Sequence, residues 1–113
     1  MKTTYSKRFL KEAKNLRKKY RKIDDDLLKF VNTLENDKWL GSARIEGFRG
    51  FEIYKTRVRN SSVDGGKSGG FRVIYYLKEV RSFYLLTIYS KSEKSDISCS
   101  EIFEILKQEN LFE

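Results

Sequence analysis

Phe9, Ala13, Leu16 and Tyr20 recur at helical spacing through a stretch otherwise crowded with Lys and Arg, so residues 6–20 read as an amphipathic helix. Asp24, Asp25 and Asp26 then set acceptors and negative charge at the start of a second helix, with Leu27, Val31 and Leu34 inward. Residues 36–50 read as loop, with Trp39-Leu40 as an anchor and Gly41, Gly47 and Gly50 as breakers. Beyond Gly50 the period changes from helical to alternating. Strand candidates fall at 52–59, 71–77 and 83–91, and Lys78-Glu79-Val80-Arg81-Ser82 between the last two suits a β-hairpin. Residues 3–5 are a further, short strand candidate. A final helix begins near Ser98, where Ser98 and Glu101 are spaced as a capping box and Ile97 and Ile102 as its hydrophobic staple.

Two helices, a strand meander and a closing helix imply an α+β domain. The expectation is two N-terminal helices packed on one face of a small, mostly antiparallel sheet, with a C-terminal helix. The helices should cover one sheet face and leave the other free for a ligand. With 113 residues, no proline, no repeat and no linker, one domain over 1–113 accounts for the chain.

Charge narrows the function. The chain carries 24 Lys+Arg against 16 Asp+Glu, a net +8, which points to a polyanionic partner: nucleic acid, a membrane surface or an acidic protein. Cys99 stands alone, which excludes an intramolecular disulfide and suggests a reducing compartment. No stretch approaches the roughly 20 apolar residues of a membrane span. Charges resume at Lys7 and Arg8 with no apolar leader core before them, so the expected location is cytoplasmic. Histidine is absent. That removes Ser-His-Asp and Cys-His nucleophiles and His metal ligands, and no metal or cofactor is expected. Acid–base chemistry falls to Lys, Asp, Glu or Tyr, with Arg as a charge stabiliser.

Arg72 interrupts the apolar run 71–77. Burying an unpaired guanidinium costs roughly several kcal/mol, so it calls for a carboxylate partner or an anionic ligand at the sheet surface. In 53–59 the period-2 alternation sets Lys55, Arg57 and Arg59 on one face and Tyr54, Thr56 and Val58 on the other. Taken alone, that cationic face could be a solvated edge; beside the Arg72 strand, four cations converge. The third strand adds Lys91 and Lys94, with Glu93 between them. Gly65, Gly66, Gly69 and Gly70 around Lys67 form a cationic flap whose glycines let backbone approach a phosphodiester. Gly66-Lys67-Ser68 is not a phosphate loop of the nucleotide-binding kind. That motif needs glycine where Ser61 stands and a helix, rather than a strand, after the loop.

Three blocks in this order carry a family resemblance: Gly50-Phe51 leading into 54–58; the glycine loop followed by Phe71-Arg72-Val73-Ile74-Tyr75-Tyr76; and the run from Leu85 to Ile97. Together they resemble the RelE/ParE toxin superfamily, closest to the HigB-like branch of RelE toxins. The resemblance implies a RelE-like fold, a cognate antitoxin protein as partner, and a toxin that enters the ribosomal A site and cuts mRNA there. Position by position, the family's basic strand matches Lys55 and Arg57, its arginine in the next strand Arg72, and its lysine after the last strand Lys91. The chain departs from the pattern at Ser92, where RelE has an arginine, and at Ser98, where it has a tyrosine.

The residue inventory is consistent with such chemistry. An RNA 2′-hydroxyl attacks its own phosphodiester, so the protein must align the atoms, neutralise charge and move protons. Arg72 and Arg57 suit charge stabilisation. Lys55, crowded by Arg57 and Arg72, is a candidate base, with Glu93 the second. Arg59, Lys67 and Lys94 are candidate RNA contacts. Tyr89 and Tyr76 either stack on a base or pack in the core. Two other readings stay open: a ParE-type toxin that inhibits gyrase, and a non-catalytic remnant that binds antitoxin or RNA.

Overall fold

The computed structural model describes residues 2–36, 42–63, 70–79 and 82–112. In chain order the elements are β1 (Lys2–Tyr5), α1 (Lys7–Arg17), α2 (Ile23–Glu35), β2 (Ala43–Ile45), β3 (Glu52–Val58), β4 (Phe71–Glu79), β5 (Ser82–Ser90) and α3 (Cys99–Gln108). They form one mixed sheet in the order β1-β5-β4-β3-β2, antiparallel throughout except for the parallel β1–β5 pair.

Local chemistry explains where the helices begin. Ser6 caps α1: its hydroxyl accepts from the Phe9 amide at 2.9 Å and donates to the Leu86 carbonyl at 2.6 Å. One side chain therefore satisfies a helix end and a sheet edge together. Past Tyr5, β1 no longer pairs with β5, and Glu12 of α1 takes over the edge. Its carboxylate accepts from the Thr87 hydroxyl and the Ile88 amide. Ser98 caps α3 by accepting from the Glu101 amide, and Ile97 packs with Ile102 beneath it, as the capping box and staple predict. The three aspartates of α2 occupy its first turn but do not cap it: Lys22 is the N-cap and makes no side-chain bond there. Asp26 instead turns inward and accepts from the Ser61 amide at 2.9 Å.

Period-2 alternation splits the sheet between two cores. Val58, Phe71, Val73, Tyr75, Phe83, Leu85 and Ile88 face Phe9, Ala13, Tyr20, Ile23 and Leu34 of the N-terminal helical layer. Ile53, Ile74 and Leu86 face the other way and pack under Ile102, Ile105 and Leu106 of α3. A bulge, where Ile74 opposes Thr87 but Tyr75 opposes Leu85, leaves Leu86 as the extra residue. Leu85 and Leu86 consequently serve opposite cores.

Two expectations need correcting. The face away from α1 and α2 is not left free: α3 covers half of it, because Ile102, Ile105 and Leu106 need an apolar surface of their own. Residues 36–50 are not all loop, since Ala43–Ile45 pairs with Ile53–Lys55 as a further edge strand. The short strand candidate at residues 3–5 does join the sheet, as its parallel edge. The Trp39-Leu40 anchor and the flap around Lys67 lie outside the described residues.

Candidate nucleic-acid interface

The β3–β4 register sets Arg57 directly opposite Arg72, and the β4–β5 register sets Arg72 directly opposite Tyr89. Directly opposed residues share a sheet face, so Arg57, Arg72 and Tyr89 form a row across three strands. Lys55, two residues from Arg57, lies on the same face. The row occupies the part of that face that α3 does not cover.

Two arginines directly opposed repel, and cross-strand like charges are destabilising. Among the described residues no carboxylate lies within ion-pair distance of Arg57 or Arg72. Among the described residues the Arg72 guanidinium donates only to its neighbour's carbonyl, Phe71 O, at 3.3 Å. Of the two explanations open for an arginine in this strand, the carboxylate partner is therefore absent among the described residues. Gly70 completes the corner. A Cβ there would lie 2.9 Å from the Val58 carbonyl, so glycine lets the backbone pass beside β3 at this corner, with Arg57 Cγ and an Arg72 guanidinium nitrogen at an ordinary 3.7 Å. The Gly70 carbonyl accepts from the Lys91 amide at 3.0 Å, which ties the end of β5 to the same corner.

The turn after β5 borders the row. Lys91 donates to the Ser95 carbonyl at 2.6 Å, and Lys94 lies 5.9 Å from the centre of the Tyr89 ring. Lys94 also binds Glu101 at 2.8 Å, and Glu101 binds Arg8 of α1 at 2.9 Å. These hydrogen bonds from Lys94 and Arg8, against some desolvation, hold the Glu101 carboxyl down at about 2. Tyr89 is buried, and its phenol is pushed up to about 12 by burial and by Asp96, with Arg72 opposing. It stays protonated at neutral pH, and its ring is packed rather than offered for stacking. Tyr76 is partly buried and packs against Phe51 at the edge of the α3 core.

Asp96 is the residue that sequence reasoning missed. Its Oδ1 accepts from the Ile97 amide at 2.8 Å and reaches Lys55 at 3.4 Å and the Tyr89 hydroxyl at 3.5 Å. The Ile97 amide chiefly, then Lys55 and Lys91, hold its carboxyl below the ordinary range. Lys55 is thus paired with an exposed carboxylate rather than crowded only by cations. The run of Ser, Lys, Glu and Asp at 92–96 gave no sign which acid would fold back over the sheet.

The other expected residues separate. Glu93 turns to the opposite layer, where its carboxylate accepts from Tyr20 at 2.9 Å and Lys19 at 3.2 Å. Arg59 lies past the last ladder pair, Val58 with Phe71, and borders the cleft beside α2. Ser92 bonds with Ser90 at 2.9 Å, and Ser98 is spent as the α3 cap. Lys67 is outside the described residues. Among the described residues no group of three or more His, Cys, Asp or Glu is placed to hold a metal ion, and no helix is long and apolar enough to cross a membrane.

A small α+β fold thus opposes, across adjacent strands, two arginines that have no carboxylate partner among the described residues. Residues 1–111 match the RelE toxin of the RelE/RelB toxin–antitoxin system, and the chain belongs to that family. A toxin of such a system has an antitoxin as its partner.

Proposed function

We propose that this toxin is a ribosome-dependent mRNA endonuclease of the HigB-like branch, acting in the cytoplasm on mRNA in the ribosomal A site. The observation that carries the reading is the Arg57–Arg72 pair, directly opposed and without a carboxylate among the described residues. A phosphodiester between two guanidinium groups relieves their repulsion and presents its phosphorus to the flanking lysines. In the reaction, the 2′-oxygen bonds to phosphorus as the bond from phosphorus to the 5′-oxygen breaks. Arg57 and Arg72 neutralise the phosphorane charge. Lys55 is the group placed to take the 2′-hydroxyl proton, and Lys91 the one placed to return a proton to the leaving 5′-oxygen. No group outside the protein and the RNA is needed for this balance. Glu93, engaged by Tyr20 and Lys19, anchors the turn instead of acting as base, and Lys94 lines the approach.

Induced expression followed by mapping of mRNA 5′ ends tests the proposal. Cuts at a fixed position within translated codons are expected from the wild type, and none from Arg72→Ala. Growth arrest with intact mRNA and inhibited DNA supercoiling would instead select the gyrase-directed reading. An Arg72→Ala protein that still cleaves removes the site assignment.

A further inference from the structure

A second concave surface lies behind the cationic row, between α2 and the edge of β3 that β2 leaves uncovered. Asp26, Lys29 and Phe30 of α2 face Thr56, Arg57 and Arg59 across a cleft of about 410 Å³. Its volume is that of a small-ligand site, near the lower end of the usual range.

Two polar side chains in its lining keep hydrogen-bonding capacity that no described residue uses. Thr56 is 3 % exposed, and its hydroxyl makes no hydrogen bond with any described residue. Asp26 is 6 % exposed; its Oδ2 takes the Ser61 amide, while Oδ1 has no partner among the described residues. Both atoms open onto the cleft, since among the described residues the fully buried side-chain atom without a partner is Asn60 Nδ2, and a hydroxyl and a carboxylate oxygen in one lining suit a ligand with N–H or O–H groups. Lys29, Arg57 and Arg59 surround these acceptors, and none has a carboxylate within ion-pair distance among the described residues. The ligand therefore joins N–H donors to negative charge. A nucleotide has both, and Phe30 supplies an aromatic wall for its base.

We propose that the cleft is a nucleotide subsite. The base of one ribonucleotide enters between Phe30 and β3, and its phosphate rests on Lys29, Arg57 and Arg59. Arg57 belongs to both surfaces, so an RNA strand held on the Arg57–Arg72 row delivers its neighbouring nucleotide over the β3 edge. That continuity rests on the endonuclease reading; the subsite itself does not. Guanine is the base that fits a carboxylate best, because its N1–H and N2 amino group lie on one edge. Uracil fits poorly: its single ring N–H sits between two carbonyl oxygens that a carboxylate repels. An acidic peptide strand along the same edge is disfavoured by the buried Asp26 at its floor.

The test is an amide-resolved NMR titration of the whole chain with 5′-GMP and 5′-UMP, repeated on Thr56→Val, Lys29→Gln and Arg72→Ala. Shifts centred on Phe30, Thr56 and Ser61 are expected with GMP, with at least about five-fold weaker binding of UMP. Thr56→Val should weaken GMP by about five-fold without lowering the melting temperature, since it removes a hydroxyl that no protein group uses. Lys29→Gln should weaken both nucleotides, and Arg72→Ala should leave the cleft shifts in place whether or not it abolishes mRNA cutting. GMP shifts confined to Lys55, Arg72 and Lys91 overturn the subsite while leaving the row intact. Equal binding of GMP and UMP overturns the base assignment. A silent cleft that responds only to an acidic peptide overturns the proposal outright.

Discussion

One face of one sheet carries two opposite surfaces. Toward one end, Ile53, Ile74 and Leu86 are sealed under α3; toward the other, Lys55, Arg57 and Arg72 border solvent and the 91–96 turn, over the buried Tyr89. The same strands and the same alternation build both. The difference is the reach of α3, which at ten residues spans only about 15 Å. Where its apolar stripe ends, the strand positions that would otherwise be core become arginine and lysine. The covered half supplies rigidity, and the bare half supplies a fixed field of positive charge.

Paired substitutions sharpen that contrast. Ile74→Ala leaves a cavity under α3 and should destabilise the fold by about 2–5 kcal/mol, read as a lowered midpoint of chemical denaturation. Arg72→Ala, two residues away on the same strand and face, should change stability by no more than about 0.5 kcal/mol, because it relieves repulsion from Arg57. If both variants lose stability equally, the division of the face into a structural and a binding half fails.

Glu101 joins the halves, since it is Ser98's capping-box partner in the first turn of α3 and holds Lys94 and Arg8. Its carboxyl is depressed from the ordinary 4.5 to about 2 in the folded protein, so its contribution is complete above about pH 4.5 and fades as pH falls toward 2. The side chain is 37 % exposed, so the effect is modest. Glu101→Gln should lower the melting temperature at pH 7, and that deficit should shrink by pH 3. A pH-independent deficit would show that Glu101 acts through packing alone.

Asp96→Asn should have the smallest effect, and one of opposite sign. Removing this carboxylate frees Lys55 for phosphate, so single-stranded RNA should bind more tightly. The slope of log affinity against log salt should steepen by about 0.7, one added phosphate contact. Fluorescence anisotropy across a salt series measures it. Weaker binding would mean that Asp96 positions Lys55 for RNA rather than competing with it.

Much of this architecture was legible in the chain. Helical periodicity marked α1 and α2, the capping box and staple marked α3, and alternation in 53–59 put Lys55 and Arg57 on one face. Such signals are local, arising from contacts within a few residues. β2 escaped because three residues are too few to show a period, and it exists only because β3 offers it an edge. Asp26 read as part of a helix-starting acidic run, yet it became a buried acceptor once Ser61 arrived from β3's end.

The sequence by itself determined the elements, the excess of positive charge and the presence of an arginine that an apolar strand has no reason to hold. Only the tertiary structure decided what that arginine faces. Register is a long-range quantity: a slip of one residue between β3 and β4 would turn Arg72 away from Arg57 and into the core. The two hydrophobic layers forbid that slip, and by forbidding it they fix two guanidinium groups opposite one another at the border of α3.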